Sequence, residues 1–92
     1  MNPHDTAYRV DTSRVTWRET GGETVLLDLQ ESVYYGLDRS AALLWRRLVT
    51  GATTEDLVDV LVGGGGVDRA RARDDVTTFL TDLGRYGLTR AA

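Results

Sequence analysis

The residue groups best suited to chemistry are the four-glycine run Gly63 to Gly66, the neighbouring carboxylates Asp74 and Asp75, the pair Asp56 and Asp59, and a scatter of Ser, Thr and Tyr hydroxyls. A glycine run cradles phosphate when a strand precedes it and a Lys-Ser or Lys-Thr follows it. Here a helical apolar stretch comes before and Val67-Asp68 after, so the run reads as a flexible connector between helices. Paired carboxylates could hold a metal or exchange protons, but adjacent helical residues point about 100° apart and neither pair has a third partner in reach. Solvated helix surface accounts for both. A hydroxyl nucleophile needs a base and a group that orients it. The one histidine, His4, lies in a polar N-terminal stretch, and there is no cysteine. All 11 basic residues are arginine, so a Schiff-base or phosphate-loop lysine is excluded as well. The expectation is a chain that is no enzyme, with no cofactor and no metal.

Ninety-two residues, 41% of them apolar, suffice for one modest core. No apolar run approaches the about 18 residues of a membrane span. The opening Met-Asn-Pro-His-Asp-Thr lacks a basic start followed by an apolar stretch, so the expected address is the cytoplasm, with no membrane partner. Fourteen acidic residues against 11 basic ones give a net charge of −3, which disfavours a non-specific polyanion binder because phosphate contacts dominate nucleic-acid affinity.

Residues 1–12 read as a flexible tail in which Tyr8 and Val10 begin a strand, and the ordered domain is expected over residues 13–90. Arg14 to Thr20 and Thr24 to Gln30 alternate in polarity around Gly21-Gly22-Glu23, a hairpin signal. A three-residue loop pairs Trp17 with Leu27 and Val15 with Leu29 and so gathers Val15, Trp17, Val25, Leu27 and Leu29 on one face; that register is the expected one. After a second turn at Glu31-Ser32, Val33-Tyr34-Tyr35-Gly36-Leu37 is a third strand. The period then changes to 3.6: Asp38 or Ser40 caps a helix carrying Ala41, Leu44, Trp45 and Leu48; Thr53 caps a second carrying Leu57, Val58 and Leu61; Asp68 caps a third carrying Ala72, Val76, Phe79, Leu80 and Leu83, closed by Gly87. The fold class is α+β: a three-stranded antiparallel meander followed by three helices, resembling a winged helix-turn-helix.

That outline raises DNA binding. Arg69 and Arg73 share a side of the third helix, but Asp68, Asp74 and Asp75 offset them, and the second helix adds Glu55, Asp56 and Asp59. No nucleic-acid partner is expected. The third strand, in contrast, is an edge with no proline or charge to blunt it, and Gly36 lets another backbone approach. Such an edge suits strand addition by an extended peptide. Asp75, Phe79, Asp82 and Tyr86 flank the buried stripe of the third helix and would form the opposite wall. The residues alone leave a second reading equally open, in which Phe79 and Tyr86 complete the core and the aspartates are solvated.

The ordered set Val25-Leu26-Leu27-Asp28, Val33-Tyr34-Tyr35-Gly36-Leu37-Asp38, Ala42-Leu43-Leu44-Trp45, Leu48, Gly51, Thr54-Glu55-Asp56-Leu57, Asp75 to Leu83 and Gly87-Leu88 resembles the PqqD-like family over residues 14–88. Asp38 stands where that family usually has Asn, Glu31-Ser32 where it often has Gly, and the link before the third helix is richer in glycine. The resemblance implies a non-catalytic adaptor that binds the leader of a ribosomally made, post-translationally modified precursor as an added strand. It carries over Val33, Tyr34, Tyr35, Gly36 and Leu37 for backbone pairing, and Asp75, Thr78, Phe79, Asp82 and Leu83 for the helical wall. A chain of this size is most similar to the stand-alone leader-binding proteins of lasso-peptide pathways, which implies a separate cysteine-protease-type leader peptidase, and a cyclase, as partners. The free sheet edge leaves a monomer, or a weak dimer through that edge, as the expected state. The alternatives are an adaptor for a radical-SAM peptide-modifying enzyme and a winged-helix DNA-binding protein.

Overall fold

The computed structural model describes residues 6–91; His4 and the rest of residues 1–5 lie outside them. Strands β2 (Val15–Thr20), β3 (Glu23–Asp28) and β4 (Val33–Leu37) form an antiparallel sheet in the order β2-β3-β4. Helices α1 (Arg39–Val49), α2 (Thr54–Gly65) and α3 (Arg69–Tyr86) follow. The α+β architecture of a meander followed by three helices is therefore as the sequence predicts. A second small sheet joins β1 (Ala7–Val10) to β5 (Ala52–Thr53) and β6 (Thr89–Ala91) in the order β5-β1-β6. The segment expected to be a tail thus contains a strand whose last residue, Val10, is buried in the core.

The hairpin register differs from the expected one. Thr20 faces Glu23, Trp17 faces Leu26 and Val15 faces Asp28, so the loop has two residues. Gly21 and Gly22 have φ of 58° and 82°, and two residues with positive φ build the turn whose twist matches that of the flanking strands. The inner face consequently carries Val15, Trp17, Thr24, Leu26 and Asp28, while Val25 and Leu27 face outward with Thr16 and Arg18. Asp28 is tolerable at an inner position because its carboxylate accepts the N–H groups of Gln30 and Glu31 at 3.0 and 3.1 Å and lies 3.9 Å from the Arg14 guanidinium.

The core lies between that inner face and the helices: Leu26, Trp45, Leu48, Leu57, Val58, Leu61, Val76 and Leu88 are fully buried. Trp17 meets Trp45 edge to face at 5.4 Å. Asp38 caps α1 through the Ala41 N–H, and Thr53 and Asp56 cap α2 reciprocally. The glycine run is not a break from its first residue, because α2 continues through Gly63 and Gly64 and ends with Gly66 in the left-handed conformation. Gly87 ends α3 in the same conformation, and the buried Leu88 returns its N–H to the Leu83 carbonyl at 3.0 Å.

Candidate functional site

Which edge groups are free follows from the register. In an antiparallel ladder, pairs that exchange hydrogen bonds alternate with pairs that do not, and the pair closing a two-residue loop exchanges them. Thr20 and Glu23 close the first loop, so β3 directs the backbone groups of Thr24, Leu26 and Asp28 toward β4. Their partners Leu37, Tyr35 and Val33 are thereby engaged, and the outward N–H and C=O groups of β4 are those of Tyr34 and Gly36. Among the described residues, no further strand pairs with that side of β4.

Beside this edge runs a groove between β4 and α3. Its narrow part, about 200 Å³, is lined by Tyr35, Gly36 and Leu37 on the strand side and by Phe79, Asp82, Leu83 and Tyr86 on the helix side, over Leu26 and Ala41. A wider continuation of about 460 Å³ shares Asp38, Ala41, Phe79 and Asp82 and adds Asp75, Thr78 and Arg71. The Tyr35 and Tyr86 rings stack at 4.8 Å in the narrow part. Burial pushes the Tyr35 phenol above its ordinary range, and Asp28, Tyr86 and Glu31 add to the effect, so it stays a neutral hydrogen-bond donor. The wide part is acidic: Asp38, Asp75 and Asp82 line it together with Arg71, which lies 3.9 Å from Asp75.

Of the residues singled out in the sequence, Tyr35, Gly36, Leu37, Phe79, Asp82, Leu83 and Tyr86 thus meet in one groove, with Asp75 and Thr78 along its continuation. Val33 starts the strand, and the Tyr34 side chain points to the opposite face of the sheet, 70% exposed. Sequence reasoning left Asp38, Ala41 and Leu26 out of the site. Tyr86 comes from the helical pattern alone, four residues beyond Asp82 and seven beyond Phe79 on one stripe, and is not among the residues the family resemblance carries over.

The opposite face of the sheet is also apolar in part. Thr16, Trp17, Arg18, Val25, Leu27 and Tyr34 surround a shallow depression of about 330 Å³. The arginines that would approach DNA are occupied: Arg69 donates to Glu55 and Asp59 at 3.1 and 2.8 Å, and Arg73 donates to Glu55. The Arg73 hydrogen bond is the main reason the Glu55 carboxyl is held below its usual range. Among the described residues, no group of three or more His, Cys, Asp or Glu side chains could hold a metal ion, and no helix is long and apolar enough to cross a membrane.

A family model described as coenzyme PQQ synthesis protein D (PqqD) matches residues 23–88. Among solved structures, the chain is similar to TbiB1 in complex with the TbiA(beta) leader peptide: 30% identity, a TM-score of 0.81, and coverage of 89% of this chain and 94% of that one. It is also similar to a lasso peptide synthetase B1 complexed with the leader peptide: 28% identity, a TM-score of 0.78, and coverage of 90% and 96%. No curated protein sequence matches it.

Proposed function

We propose that this chain, which belongs to the PqqD family of non-catalytic peptide-binding domains, binds the leader segment of a ribosomally synthesised precursor peptide by strand addition to β4. The observation that carries this reading is the unpaired edge at Tyr34 and Gly36 lying directly beside a groove floored by apolar side chains. Two solved relatives of nearly the same length are complexes with leader peptides, which supports it. Four backbone hydrogen bonds of roughly 1 kcal/mol net each, plus one or two apolar anchors in the groove, correspond to a Kd between about micromolar and tens of nanomolar. Selectivity then rests on Phe79, Leu83 and Tyr86, with Asp75 and Asp82 favouring a basic residue beside the paired segment.

The pathway reading is lasso-peptide biosynthesis, in which the chain presents the bound precursor to a separate cysteine-protease-type leader peptidase and supports a cyclase. The likeness to a lasso peptide synthetase B1 supports this over service to a radical-SAM enzyme. The partly apolar outer face, with Tyr34 and Leu27 at its centre, leaves a surface for such an enzyme while the groove is filled. DNA reading is disfavoured because Arg69 and Arg73 are held by Glu55 and Asp59.

The test is a titration with a fluorescently labelled leader peptide of a lasso precursor from the same genome, at two salt concentrations, with a scrambled leader and a DNA duplex as controls. Saturable binding of the leader alone, changing little with salt, is the expected result. Salt-sensitive binding of the duplex without binding of the leader would replace the peptide reading by the DNA one.

A further inference from the structure

One charged side chain outside the groove has a position that the core does not explain. Arg14, just before β2, reaches across to the far end of α3, where its Nη2 donates to the Tyr86 carbonyl at 3.3 Å. Its guanidinium lies against Gly87, where an added Cβ would come to 2.8 Å from Nη1. Glycine is favoured at position 87 by its φ of 75°, and a side chain there would displace the Arg14 guanidinium. On the sheet side, Arg14 faces the buried Asp28 at 3.9 Å, and its own carbonyl accepts the Leu29 N–H at 2.8 Å. Asp28 in turn organises the turn leading into β4 through the Gln30 and Glu31 N–H groups. Through Asp28, this side chain links the turn that precedes β4 to the last turn of α3. A cation at a helix C-terminus is also favoured by the helix dipole.

Tyr86, whose carbonyl Arg14 holds, stacks its ring on Tyr35 inside the groove. We infer that Arg14 is a positioning residue which sets the separation of α3 from β4 through Tyr86, and so decides which peptide side chains the narrow end of the groove accepts, without itself lining the groove. This rests on the reading of the groove as a peptide site.

The experiment is a double-mutant cycle read by leader-peptide affinity, using the same fluorescent leader and the proteins Arg14→Met, Tyr86→Ala, the double variant and Arg14→Lys. Arg14→Met is expected to weaken binding by about fivefold or more, and to add less than about twofold in the Tyr86→Ala background, because residues acting through a shared partner are not additive. Arg14→Lys, which keeps a cation at the helix end, is expected to recover part of the loss. An equal loss in both backgrounds, or no loss from Arg14→Met, would overturn the inference while leaving the peptide reading intact. Failure of the unaltered protein to bind the leader would remove both. If Arg14→Met does not fold, the same cycle is run with Arg14→Lys against Tyr86→Ala, and additivity again overturns the inference.

Discussion

Gly36→Pro is expected to lower leader affinity by about 30- to 100-fold, which corresponds to about 2–3 kcal/mol, while the domain stays folded. Proline removes the outward N–H of Gly36 and leaves the peptide carbonyl that should meet it without a partner, so the cost exceeds that of one net hydrogen bond. The fold tolerates the change for a definite reason. The Gly36 N–H is not used in the β3–β4 ladder, a Cβ there meets nothing within 4 Å, and proline is accepted on edge strands with this orientation. Tyr35→Pro is the instructive contrast. Tyr35 pairs with Leu26 inside the ladder, so that substitution should unfold β4 and lower the melting temperature rather than report on the peptide. Calorimetric titration together with thermal melting of both variants checks the distinction.

Phe79→Ala is expected to weaken binding by about tenfold or more, because Phe79 lines both parts of the groove and is the largest apolar side chain on its helical wall. It is only partly buried and packs against the edge of the core, whose centre at Trp45, Leu48, Leu57 and Leu61 does not depend on it. The variant should therefore remain folded with a modestly lower melting temperature. Phe79→Leu should recover part of the affinity, since it restores apolar area but not ring shape. Unchanged affinity in a folded Phe79→Ala protein would move the peptide away from α3.

Most of the architecture could be read in advance because period 2 and period 3.6 change sharply at Asp38, and because Asp38, Thr53, Asp68 and Gly87 are explicit helix boundaries. The hairpin register could not. Its expected form placed Val25 and Leu27 inward on the assumption that apolar residues seek the core, whereas Asp28 takes an inner position by satisfying its carboxylate locally and the outer face keeps the apolar pair. That one-residue difference matters for the site, since it decides that Tyr34 and Gly36 carry the free edge groups. The second sheet escaped notice because Ala52–Thr53 and Thr89–Ala91 are too short to show a period. For the groove, the strand and the α3 stripe were evident from pattern, while Asp38 and Ala41 enter it only because α1 starts directly beneath the end of β4. Arg14 had no signal at all, as its contacts with Tyr86 and Gly87 span 72 or more residues of chain.

A bound leader peptide is expected to become the fourth strand of the sheet, beside β4. Amide hydrogen exchange of the protein with and without the leader peptide tests it most directly, residue by residue, by NMR. The Tyr34 and Gly36 amides, fast in the free protein, are expected to become strongly protected on binding, while Val33, Tyr35 and Leu37, already in the ladder, change little. Saturable leader binding that leaves Tyr34 and Gly36 exchanging as fast as before would contradict it, and would place the peptide on another surface of the domain.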